Sequence, residues 1–177
     1  HHGAGVAIDD SGAVCASIGD PDLLVYPRSC LKPMQVHAMV GAGLELDDRQ
    51  LAGACASHDG SPDHLDAVRS ILDRYDLAES DLQNTPARPY GSVARTAARI
   101  AGVEPSPLQQ NCSGKHAAML ATCRVNGWSI DDYLDQRHPV QIAITQGIEA
   151  LGAAVDHTGT DGCGAPTHAL SLSGLAA

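Results

Sequence analysis

The chain has 177 residues, of which 44% are hydrophobic, 3% aromatic and none Phe, and its formal net charge is -10. That length and apolar fraction suffice for one domain with a core and exclude a disordered chain; with Phe absent, the core has to be built from Ala, Leu, Val and Ile. The acidic balance argues against a nucleic-acid backbone or an anionic membrane as partner, and no apolar run is long enough to cross a bilayer.

His1-His2-Gly3 leads straight into a strand-like segment, with no signal peptide, and two histidines are too few to read as a tag. Residues 5–8 and 13–18 read as two strands, and Asp9-Asp10-Ser11-Gly12 between them is turn chemistry, which predicts a β-hairpin. A short apolar stretch, 23–26, precedes a helix that opens at Ser29, carries Pro33 in its first turns and ends at Gly41 and Gly43. A second helix spans 47–56, with Leu51, Ala54 and Cys55 on its buried face. Ser61-Pro62 is a cap and first-position pair for a third, to about residue 75. Residues 78–92 are loop-rich, and 92–100 form a short helix. Residues 111–116 open a helix over 117–125 that Asn126-Gly127 ends; 131–134 make a helical turn. Pro139 starts a helix with Val140, Ile144, Ile148 and Leu151 on one stripe, 160–167 form a tight glycine-flanked loop, and an apolar segment begins at Leu170.

Two or three strands and about six helices give a mixed α/β chain of α+β type, and so few strands make a poor sheet. The expectation is a single, partial domain over 1–177 in which part of a central antiparallel sheet is missing.

Three clusters can carry chemistry. Ser29 and Lys32 lie three apart, on one helix face, and a lysine held neutral by burial can take a serine proton. Alone, Ser-x-x-Lys also reads as a helix cap with an exposed lysine. The second cluster is His58-Asp59-Gly60-Ser61-Pro62-Asp63-His64, whose histidines suit metal ligation, a proton shuttle or plain hydrogen bonding at a loop–helix junction. The third is Cys112, Lys115 and His116 with the distant Cys163, which suits a zinc site or two buried free thiols. Without a secretory signal, the six cysteines read as cytosolic thiols rather than a disulfide framework.

Four motifs in order carry a family likeness: Arg28-Ser29-Cys30-Leu31-Lys32-Pro33-Met34-Gln35, Cys55-Ala56-Ser57-His58-Asp59-Gly60, Asn111-Cys112-Ser113-Gly114-Lys115-His116-Ala117 and Asp161-Gly162-Cys163-Gly164-Ala165-Pro166. They closely resemble the rhizobial-type, zinc-containing L-asparaginase II family, from the first residues to the last. The resemblance implies a serine β-lactamase/glutaminase-like fold and hydrolysis of L-asparagine to L-aspartate and ammonia. It implies a catalytic pair at Ser29 and Lys32 and a second serine at Ser61, whose lysine partner is expected near the family's C-terminus, beyond residue 177. Zinc ligands are implied at Cys112, Lys115 and Cys163, with Arg28, His58, Asn111, His116 and Asp161 around the substrate. Family members are considerably longer, so the chain reads as a truncated member. The resemblance also suggests a cytoplasmic homodimer. The rival readings are another serine acyl-transfer hydrolase of the same fold, a glutaminase or β-lactamase-like enzyme, or an inactive zinc-binding fragment.

Overall fold

The computed structural model describes residues 3–177; His1 and His2, too few to read as a tag, lie outside the described residues. The expected hairpin forms: β1 (Gly5–Ile8) and β2 (Val14–Ile18) pair antiparallel, with Gly5 opposite Ile18. Asp9 Oδ1 accepts the N–H groups of Ser11 and Ala13 and so closes the turn. Every residue of β2 is exposed, and among the described residues the ribbon joins no other strand.

A second, three-stranded antiparallel sheet has the order β3 (Leu24–Val25), β5 (Pro166–Ser171), β4 (His157–Thr160). The described residues thus hold five strands, where the sequence predicts two or three. The expected loop over 160–167 is the tip of the β4–β5 hairpin, with Thr160 opposite Pro166. β4 reads His-Thr-Gly-Thr and has no apolar alternation to announce a strand; pairing with β5, buried from Pro166 to Leu170, decides it.

The described residues hold seven α-helices: α1 (Lys32–Gly41), α2 (Asp48–Cys55), α3 (Pro62–Arg74), α4 (Ser92–Ile100), α5 (Ser113–Asn126), α6 (Pro139–Ala150) and α7 (Leu172–Ala176). The overall class is mixed α/β, compatible with α+β. Asp47 caps α2 in a reciprocal capping box with Gln50. Leu51 of α2, expected inside, is 38% exposed, because Gln50 turns inward to donate to Ser70 Oγ at 3.1 Å. α5 starts at Ser113, four residues earlier than expected, and residues 131–134 run as turns with no helix.

α5 is the centre of the molecule: every residue from Ser113 to Cys123 is buried. It packs against α1, α2, α3 and α6. The core is largely Ala, Leu, Val and Ile, as the composition requires, with Met39, Met119 and Tyr133 filling the larger gaps. Val140, Ile144 and Ile148 of α6 face it, while Leu151 is 40% exposed. At Gly147 the backbone of α6 lies so close to Ala38 of α1 that a Cβ would overlap it.

Candidate active site

Ser29 sits on a 3-10 turn (Arg28–Leu31) that leads into α1. Pro33 has no N–H with which to reach back to Ser29, and Lys32 N–H takes the Ser29 carbonyl instead. In a 3-10 turn positions i and i+3 eclipse, so Ser29 and Lys32 stand one above the other. Lys32 is 1% exposed. Its Nζ donates to the Ala56 carbonyl at 2.7 Å and to Ser57 Oγ at 3.0 Å, and the Ser57 hydroxyl donates to Ser29 Oγ at 3.1 Å. Lys32 and Ser29 are thus joined through Ser57. Burial pulls the Lys32 ammonium below its ordinary pKa, and the neighbouring Cys112 pulls the other way.

Behind Lys32 lie the buried side chains of Cys112, Lys115 and Cys163. Lys115 Nζ donates to Cys163 Sγ at 3.7 Å. The Cys112 thiol is pushed down to about 5 by its hydrogen bond with Cys163, against burial and with help from the Lys32 and Lys115 charges. Cys163 is pushed up by the same hydrogen bond and by burial. Among the described residues, no three His, Cys, Asp or Glu side chains converge to hold a metal ion. A metal here needs an amine as well. Two cysteine sulfurs and the Lys115 amine, gathered out of solvent, fit the donor preferences of zinc.

The other predicted residues fall into two groups. Arg28 and Asp161 meet at the mouth of the site: Arg28 Nε donates to Asp161 Oδ1 at 2.8 Å, with Nη2 at the same distance from that oxygen. With Tyr26, Thr160 and Thr167 they line a cleft of about 330 Å³. Arg28 has a φ of +53°, the left-handed region that side-chain-bearing residues avoid.

His58, Asn111 and His116 face protein. His58 Nε2 lies 2.7 Å from Ser113 Oγ, whose hydroxyl donates to the Leu108 carbonyl, so the imidazole is the donor in that pair. Burial, then the charges of His64 and Lys32, hold His58 down to about 4. The Asn111 carbonyl accepts His58 N–H and ties the Ser57–Gly60 segment to the start of α5. His116 is fully buried, with Nδ1 2.9 Å from the Tyr133 hydroxyl.

Ser61 begins α3, and its hydroxyl lies 3.0 Å from His64 Nδ1. The same nitrogen contacts Asp59 Oδ1 at 2.6 Å. A Ser–His–Asp relay needs both ring nitrogens, so this trio is not one. The structure brings Ser57 rather than Ser61 to Ser29 and Lys32. The sequence signal for Ser57 lies in the same Ser-His-x-Gly motif, one residue before His58.

No curated protein matches the chain. The family model for L-asparaginase II matches residues 1–177, the same residues that carry the four motifs. A buried lysine wired to a serine at a helix start, in a chain matched from end to end, places this protein in the L-asparaginase II family.

Proposed function

We propose that this chain hydrolyses the side-chain amide of L-asparagine, giving L-aspartate and ammonia, through a Ser29 acyl-enzyme. The family supports an amidohydrolase acting on a small molecule. The observation that carries the mechanism is the hydrogen-bonded line Lys32–Ser57–Ser29. The Ser57 hydroxyl turns from Ser29 Oγ to neutral Lys32 Nζ, and as Ser29 Oγ attacks the amide carbon its proton passes to Ser57 Oγ while the Ser57 proton passes to Nζ. Burial favours that neutral amine. Ser29 N–H, which has no hydrogen-bond partner among the described residues, is positioned to hold the oxyanion. Lys32 then returns the proton to the leaving nitrogen, the C–N bond breaks and ammonia departs. Water, deprotonated through the same line, splits the ester and restores Ser29.

Cys112, Lys115 and Cys163 would hold zinc, with Lys115 as the neutral amine. When bound, zinc supplies a Lewis-acid site for a substrate oxygen or a water. A serine β-lactamase/glutaminase-like arrangement and a cytoplasmic homodimer complete the reading. The test is ammonia release from L-asparagine and L-glutamine, beside a Ser29→Ala control, with mass spectrometry for the acyl-enzyme. Release that persists in Ser29→Ala removes Ser29 as nucleophile.

A further inference from the structure

Cys112 and Cys163 come from two separate places in the fold. Cys112 precedes the first turn of α5, and Cys163 stands in the turn between β4 and β5. A third segment, residues 84–85, holds both. Thr85 N–H donates to the Cys163 carbonyl at 3.3 Å. One residue earlier, Asn84 Nδ2 donates to Gln110 Oε1 at 3.2 Å, and the same oxygen accepts the Cys112 N–H at 2.8 Å. The two cysteine backbones are therefore tied to neighbouring residues of one loop, Cys112 through Gln110 and Asn84, Cys163 through Thr85. Both amides are fixed in orientation. Asn84 must turn its nitrogen to the Pro107 carbonyl, at 2.7 Å, and Gln110 must turn its oxygen to the Cys112 N–H, because each of those backbone groups has a single role. Gln110 Nε2 then donates to Asn111 Oδ1 at 3.0 Å. The arrangement is costly: Asn84 is 1% exposed, and its Oδ1 is buried with no hydrogen-bond partner among the described residues. A loop that only covered the core would be served by an apolar side chain, which leaves no buried acceptor unmet. A cap for α5 alone would need Gln110 and not Asn84.

We propose that Asn84 and Gln110 are positioning residues of the metal centre, a clasp that sets the separation of Cys112 and Cys163 before zinc binds. The inference rests on the zinc reading given above. Neither residue touches the metal; both act on its ligands through the backbone. A metal site typically loses about 10–100-fold in affinity when the contacts that orient its ligands are removed.

Zinc affinity of the purified chain, measured by competition with a chromophoric chelator, tests this without turnover. Cobalt(II) serves beside it, because its visible bands report ligand geometry. Gln110→Met and Asn84→Ala should each weaken zinc about 10–100-fold and shift the cobalt bands. The double variant should be within about threefold of the weaker single one, since both cut the same link. Gln110→Glu keeps the oxygen that accepts from Cys112 and Asn84, so it should restore the cobalt bands and bind zinc within about threefold of wild type or more tightly. Gly147→Ala strains the α1–α6 contact without touching the clasp, and it should lower stability while leaving zinc affinity in place. Asn84→Ala carries the test alone if circular dichroism shows that Gln110→Met does not fold. Zinc affinity and cobalt bands unchanged in Asn84→Ala, or an equal loss of affinity in Gly147→Ala, overturns the clasp and leaves the zinc reading standing. A wild-type chain that binds no zinc removes both.

Discussion

The hydroxyl of Ser57 donates to Ser29 Oγ at 3.1 Å, so Ser29 is bonded to a second serine and Lys32 stands one step behind it. Ser57→Ala removes the step that carries the proton. The rate of ammonia release from L-asparagine should fall about 10²–10⁴-fold, with the melting temperature unchanged. A rate within threefold of wild type would mean that Lys32 reaches Ser29 directly.

Metal binding makes its own demand on the cluster behind Lys32. One equivalent of zinc should raise the melting temperature of the purified chain, and a chelator should reverse the rise. Cys112→Ser and Cys163→Ser should each remove the response, whereas Cys123→Ser, at a buried thiol of the same helix as Lys115, should leave it. A zinc response that survives both of the first two substitutions would assign the metal elsewhere.

Acid should unfold this protein through its buried histidines. His58 is held down to about 4, and burial also lowers His116 and His168. Above an ordinary value of 6.5 both folded and unfolded chains carry neutral His58. Between 6.5 and 4 the unfolded chain takes up a proton that the folded chain refuses, so stability is lost as pH falls through that window. For His58 the loss is about 3 kcal/mol, at about 1.36 kcal/mol per pH unit. Urea midpoints at pH 7, 5.5 and 4.5 should fall in that order, and a flat profile would contradict the burial seen here.

The α1–α6 contact predicts its own sensitivity. Gly147→Ala drives a methyl into Ala38 and should cost about 1–3 kcal/mol in urea unfolding. Ala38→Gly in the same chain should recover much of that loss, and an additive double mutant would show that the overlap is relieved some other way.

The sequence foretold most of the helices because their signals are local. Asp47 with Gln50, Ser61 with Pro62, and Pro139 each mark a start through backbone chemistry that needs no partner. β4 was illegible because His157 to Thr160 become a strand only once β5 lies alongside. The site divides in the same way. The spacing of Ser29 and Lys32 reads equally as a helix cap until the four motifs are taken together, and Arg28 and Asp161, both implied around the substrate, form an ion pair across 133 positions that no spacing encodes. The resemblance implies the second serine at Ser61, while the serine bonded to Lys32 is Ser57. What distinguishes them is the Lys32 side chain reaching the Ala56–Ser57 segment, a contact across 25 positions that spacing does not encode.

The β1–β2 ribbon and α5 differ in how deeply their backbones are sealed: β2 is exposed at every residue, while Ser113 to Cys123 are buried throughout. The amide protons of the two should consequently report different events. Those of Val14 to Ile18 can trade with deuterium whenever the ribbon peels open, a local excursion that leaves the helices intact. Those of α5 can trade only when the whole molecule comes apart. One deuterium-uptake time course would then read two free energies from one chain, the opening of the ribbon and the stability of the helical centre that carries Lys115.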